Sequence, residues 1–235
     1  MRYAATDSAK AILAVTFDVG GTLIDPYPSV GHIYSEVAAR HGCRGISPVL
    51  LNRRFAAAWR ALRAFRYTRA HWAGLVDATF LGLVHLPPSR TFFPALYARF
   101  SEPGAWRVYD DVLPALAALA GRGLKLGLIS NWDERLRPLL RGLNLSRYFD
   151  VMAISCEVGA AKPGRAIFRR AAARLRLPPE EILHVGDRLD MDVRGAQAAG
   201  FRTRWLRRNA RAARPGQLRS LAGLVESIYD QGPHR

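Results

Sequence analysis

Lysine is nearly absent from this chain. Of thirty-five basic residues among 235, three are lysines, at Lys10, Lys125 and Lys162. Cysteine is scarcer: Cys43 and Cys156 have neither metal-ligand spacing nor the numbers for a disulfide framework, and reduced thiols are expected. No run reaches the ~18–20 apolar residues of a membrane-spanning helix. The first eight residues include Asp7 and lack the charged-then-apolar layout of a signal peptide. These absences exclude a disulfide scaffold, a zinc knuckle and a helix-anchored membrane protein, and make the cytoplasm the expected compartment.

Acidic residues are few as well, and the formal net charge is +16. Dense basic residues can neutralise nucleic-acid phosphates. Here, however, arginine is spread through most helical segments, and the one dense run is Arg202 to Arg219. A solvated basic face is expected there in preference to a polyanion-binding patch.

What is present is a folded, enzyme-sized pattern with 49% apolar residues. Ile12 to Phe17 is an apolar run ending in Asp18-Val19-Gly20-Gly21-Thr22-Leu23. It reads as a buried strand that presents Asp18 at its carboxyl end, where open α/β sheets place their ligands. A turn-rich linker, Asp25 to Ser29, leads into apolar spacings of three and four over Val30–His41, Val49–Phe65, Ala70–Val84 and Phe92–Phe100. These predict a helical insert over 26–103. Strand and helix patterns then alternate: helix Val112–Ala120, strand Leu124–Ile129, a helix near Glu134–Arg141, strand Val151–Ile154 and helix Arg165–Arg174. Strand Ile182–Val185, helix Val193–Ala199, strand Phe201–Leu206 and a last helix over Gln217–Tyr229 complete the series. The alternation predicts an α/β fold with a doubly wound parallel sheet, its core formed by 1–25 and 104–235.

Three later segments carry chemistry that a carboxylate nucleophile needs. Ser130-Asn131 offers a hydroxyl and an amide before an expected helix start, a natural phosphate cradle or an ordinary cap. Lys162-Pro163 places a compact ammonium in a loop of an otherwise arginine-using chain, able to offset repulsion between a carboxylate and a phosphoryl group. Gly186-Asp187 through Asp192 sets three acids within six residues, which repel unless a cation compensates, and such oxygen-rich sites suit magnesium.

Together the four segments resemble the motifs of the haloacid dehalogenase (HAD) superfamily, over residues 11 to 206. The resemblance implies a Rossmann-like core with the helical insert as a type I cap. It implies that Asp18 attacks phosphorus to form an aspartyl phosphate. Thr22, Ser130 or Asn131 would hold the phosphoryl oxygens and Lys162 would neutralise charge. Mg2+ would bind Asp18, the Gly20 carbonyl, Asp187 and Asp192, and the substrate would be a small phosphorylated metabolite.

Gly20 departs from the pattern, because phosphatases of this superfamily usually carry a second Asp there as general acid and base. That role is worth roughly 10²–10⁴-fold. Asp25, Tyr27, His32 and Tyr34 are candidate replacements, and a binding or regulatory protein on a retired scaffold is the alternative reading. A dehalogenase is disfavoured by the acids at Asp187 and Asp192. A phosphonatase is disfavoured because residues 26–105 contain no lysine. Phe55, Trp59, Phe65, Tyr67, His71 and Trp72 are candidate substrate contacts in the cap, more of them expected as its core.

Overall fold

Strand β1 (Ala14–Phe17) is buried at every position, which explains why its sequence does not alternate polar and apolar residues. The computed structural model describes residues 11–62, 65–212 and 214–229. Residues 1–10, expected to begin the core, lie outside them. After β1 the chain forms β2 (Ile24–Pro26), then helices α1 (Val30–Arg40), α2 (Pro48–Ala61), α3 (Arg69–Phe80) and α4 (Phe93–Arg99), and returns through β3 (Trp106–Val108). There follow α5 (Val112–Ala120), β4 (Lys125–Ser130), α6 (Leu136–Gly142), β5 (Val151–Ile154), α7 (Ser155–Val158) and α8 (Arg165–Leu175). The chain continues through β6 (Ile182–Gly186), α9 (Gly195–Ala198), β7 (Arg202–Leu206), β8 (Gln217–Leu218) and α10 (Leu221–Tyr229).

The main sheet has the order β5-β4-β1-β6-β7-β8, and every pairing in it is parallel. This is the doubly wound α/β architecture that the alternation predicts. One face is packed by Leu116, Leu119, Leu139, Leu221 and Leu224, the other by Ile167, Phe168, Ala171 and Leu175. A third cluster, including Ile33, Val37, Leu51, Phe80, Phe92 and Leu96, is formed by the helices between β2 and β3. Burying each such side chain contributes about 1.5–3 kcal/mol, so this helical layer has a core of its own.

Several boundaries differ from expectation. The linker at Asp25 contains β2, which pairs antiparallel with β3 as a small ribbon between the sheet and the helical layer. Helix α2 stops at Ala61, where Leu62 turns extended, although apolar spacing continues to Phe65. Phe65 instead packs its ring on Trp59 and Trp72, with centroids 5.1 and 4.8 Å apart. Gln217 and Leu218 leave the expected last helix to pair with Trp205 and Leu206. The segment Leu189–Arg194 winds as a π-helical turn before the short α9. Among the described residues no helix is long and apolar enough to cross a membrane.

Candidate active site

Parallel pairing brings distant segments to one edge. Phe17 lies level with Leu128 on one side and Val185 on the other, so Asp18, Ser130 and Asp187 all emerge at the carboxyl ends of adjacent strands. The Asp18 amide donates to the Val185 carbonyl at 2.9 Å, extending the ladder to the acid itself. Past Asp18 the chain folds back tightly, with the Gly21 amide on the Ile24 carbonyl at 2.8 Å. Gly21 has φ +80°, and a Cβ there would lie 2.7 Å from Asp187 Oδ2. Gly186 is constrained by proximity: its Cβ would come within 2.3 Å of the Asp192 carboxylate.

Lys162 is the buried cation of the cluster. Its Nζ donates to Asp18 Oδ1 at 2.5 Å and to Asp192 Oδ1 at 2.6 Å. The loop carrying it is held by Asn131, whose Oδ1 accepts from the Lys162 amide at 2.7 Å and whose Nδ2 donates to the Lys162 carbonyl at 2.9 Å. Asn131 therefore clamps the lysine loop, with its side-chain oxygen and a donor engaged there. Ser130 Oγ and Thr22 Oγ1 each donate to the Asp18 carboxylate at 3.5 Å. The helix expected near Glu134–Arg141 begins at Leu136, so a stretch of loop separates it from Ser130-Asn131. Any cradle there consists of side chains and loop.

Burial and like charge set the electrostatics. Burial raises the Asp18 pKa above 3.8 and Asp192 adds to the rise, while Lys162 opposes it. Asp187 is pushed up to about 7, first by burial and then by Asp18 and Asp192. Burial acts in the same direction on Asp192, but Lys162 outweighs it and holds that carboxyl well below the usual range. Burial lowers the Lys162 pKa, yet Asp18 and Asp192 more than reverse this and keep the ammonium charged. Burial also depresses His184, whose Nδ1 is 3.0 Å from Thr16 Oγ1.

The donor set fits a cation. Asp18, Asp187 and Asp192 each present an oxygen within 4.8 Å of the others. Asp187 Oδ1 is buried without a hydrogen-bond partner. Asp192 is more engaged, since Oδ2 also accepts from the Arg188 amide at 2.9 Å. Three carboxylates against one ammonium leave a local negative excess that a divalent ion would offset.

A cavity of about 410 Å³ opens from this cluster into the helical layer. Phe55, Trp59, Tyr67 and Trp72 line it, whereas Phe65 and His71 are not among its lining residues. Of the candidate replacements for the missing acid, Asp25 and Tyr34 face the cavity. His32 is exposed and hydrogen-bonded to Ser29 at 2.8 Å, and Tyr27 is 53% exposed. Sequence reasoning missed Trp106, Trp132, Tyr97 and Arg135 in the wall. Arg135 is bidentate to buried Asp133, at 2.9 and 2.6 Å, and its guanidinium lies 3.6 Å from the Tyr97 ring centroid. The Asp133–Arg135 spacing was the available signal, but it reads as easily as a surface pair.

A carboxylate held by a buried lysine beside two further acids, at the carboxyl edge of a parallel sheet, defines an α/β protein with a carboxylate-centred site. The model of the haloacid dehalogenase-like hydrolases matches residues 12–200, and the chain belongs to that family. It is 35% identical over 199 residues to mouse haloacid dehalogenase-like hydrolase domain-containing protein 3, covering 80% of this chain and 78% of the relative. It is 34% identical over 194 residues to a phosphoglycolate phosphatase of Yersinia pestis, covering 81% and 79%. The crystal structure of a HAD phosphatase from Thermococcus onnurineus superposes with a TM-score of 0.68 at 27% identity, covering 92% of this chain and 98% of that one.

Proposed function

We propose that the chain is a magnesium-dependent phosphatase of small phosphorylated compounds, working through an aspartyl phosphate on Asp18. The observation that carries this reading is Lys162 Nζ, 2.5 Å from Asp18 and 2.6 Å from Asp192. It orients the Asp18 oxygen and opposes the rise in pKa that burial imposes on it. A phosphatase name on a relative that matches four-fifths of the chain adds support.

In the first step an Asp18 oxygen attacks phosphorus, and the ester P–O bond breaks with its electron pair going to the leaving oxygen. Water then attacks the phosphorus, releasing phosphate and regenerating the Asp18 carboxylate. Lys162 offsets charge between Asp18 and the phosphoryl group, while Ser130 and Thr22 donate to phosphoryl oxygens once the substrate displaces their contacts with Asp18. Asn131 acts by holding Lys162. Asp18, the Gly20 carbonyl and Asp187 would hold Mg2+, with Asp192 beside them. When bound it supplies charge neutralisation for the phosphoryl oxygens.

We assign the helical layer over 26–103 the role of a cap that shields the reaction from bulk water. The free thiols of Cys43 and Cys156 suit a cytoplasmic setting. The test is phosphate release in magnesium buffer by wild type and Asp18→Asn. Release that needs magnesium and vanishes in the variant is the expected result. Wild-type release that persists unchanged in Asp18→Asn overturns the reading.

A further inference from the structure

Gly20 is not a glycine that the backbone demands. Its φ lies outside the left-handed region, and a Cβ there would meet only Trp132 Cζ3, at 3.4 Å. The missing side chain therefore leaves two consequences: no carboxyl at position 20 itself, and an indole edge facing the space such a carboxyl would enter. Beyond that point the cavity wall is aromatic, with Phe55, Trp59, Tyr67, Trp72, Trp106 and Trp132 among its lining. Trp59 and Trp72 stack at 5.8 Å, and Trp106 and Trp132 lie 5.2 Å apart.

Among the described lining residues, both arginines already have a carboxylate partner. Arg135 is neutralised by Asp133 and covered by Tyr97. Arg188, the other arginine of the lining, is 3.4 Å from Asp190 with its side chain 47% exposed. Among the described residues no lysine other than Lys162 lines the cavity. A short, doubly charged phosphate ester would thus trade hydration for rings.

We propose that this site is specific for monophosphate esters of bulky aromatic hydroxyl compounds, that is, aryl phosphates. The inference rests on the phosphatase reading above and adds the substrate class. A cavity of about 410 Å³ falls within the ordinary range for small-molecule sites, and aromatic walls bind flat rings through stacked and edge contacts. An aryl leaving group also answers the absence at Gly20. Phenolic oxygens have a pKa of about 10, so the phenoxide departs with the P–O electron pair unprotonated and takes its proton from water afterwards. The aspartyl phosphate is then cleaved by water, which transfers its proton to solvent, giving a phenol and inorganic phosphate overall. An alkoxide lacks that option and needs a proton during bond cleavage.

The test compares kcat/KM for 1-naphthyl phosphate, benzyl phosphate and glycerol phosphate in magnesium buffer, with Asp18→Asn as the blank. A working general acid flattens dependence on the leaving group, and its loss exposes about 10²–10⁴-fold. Naphthyl phosphate is expected to exceed glycerol phosphate by at least about 10²-fold. Benzyl phosphate, which has the ring without the good leaving group, is expected to match naphthyl phosphate more closely in KM than in kcat. Gly20→Asp should narrow the naphthyl-to-benzyl gap in kcat. Trp59→Leu should raise KM for naphthyl phosphate with little change in kcat. Asp18-dependent turnover of glycerol phosphate as fast as of naphthyl phosphate overturns the aryl assignment and leaves the phosphatase reading intact. No Asp18-dependent release from any of the three overturns both.

Discussion

Replacing Asp187 by Asn tests the acid cluster while leaving Asp18 and Lys162 in place. Burial is the main reason Asp187 titrates high, followed by the charges of Asp18 and Asp192, and together they push it up to about 7 from 3.8. An acid whose folded pKa exceeds its unfolded pKa takes up a proton on folding between the two values. In metal-free protein its contribution is therefore most favourable below about pH 4, falls as pH rises to about 7, and is then constant. Three units at about 1.36 kcal/mol each set a ceiling near 4 kcal/mol; partial exposure of Asp187 lowers the effect to on the order of 2 kcal/mol. Asn carries no such dependence. Urea unfolding followed by circular dichroism, in EDTA, should find Asp187→Asn more stable than wild type at pH 8, with a smaller advantage at pH 5. Magnesium should reverse the order: at one hundred times its Kd it would stabilise wild type by about 2.7 kcal/mol, and the variant far less. A variant that is less stable than wild type at pH 8 in EDTA, or an advantage independent of pH, would refute the argument.

Lys162→Met leaves Asp18 and Asp192 buried without their cation, and breaking a buried pair in this way costs about 3–5 kcal/mol. Thermal unfolding at pH 8 should show a loss of that order together with lost turnover, and an unchanged Tm would contradict the assignment. Asn131→Ala removes both hydrogen bonds to the Lys162 backbone, an expected loss of about 1–3 kcal/mol. Its turnover should fall while the fold persists by circular dichroism; full activity would show that the lysine loop needs no clamp. Gly186→Ala drives a methyl group into the Asp192 carboxylate. It should lower both Tm and kcat, and wild-type values for both would mean that the turn yields freely.

Reading the sequence went furthest where the signal is local. The apolar run before Asp18 and the strand before Asp187 are each set by what their own residues must bury, and both form strands close to the expected bounds. Reading failed where a distant partner decides. Phe65 continues the helical spacing of α2, but it lies beyond the helix end and meets Trp59 and Trp72 through edge-on ring contacts. Gln217 and Leu218 carry too little pattern to announce a two-residue strand, which exists because β7 offers an open edge. The hydrogen bonds of Asn131 to the Lys162 backbone were likewise out of reach, since only the approach of that loop creates them.

The sequence alone therefore determined the alternation of the core, the candidacy of Asp18 and its cation and acids, and the absence of an acid at Gly20. Those depend on residue type and short spacing, which the chain carries in any conformation. The tertiary structure decided that Lys162 bridges Asp18 and Asp192, although 144 residues separate the first pair. It also decided which aromatic rings line the cavity, several of them packing at the same time in the helical layer's own core. Both outcomes depend on parallel strand pairing and on packing between layers, whose energies arise only when residues remote in sequence come into contact.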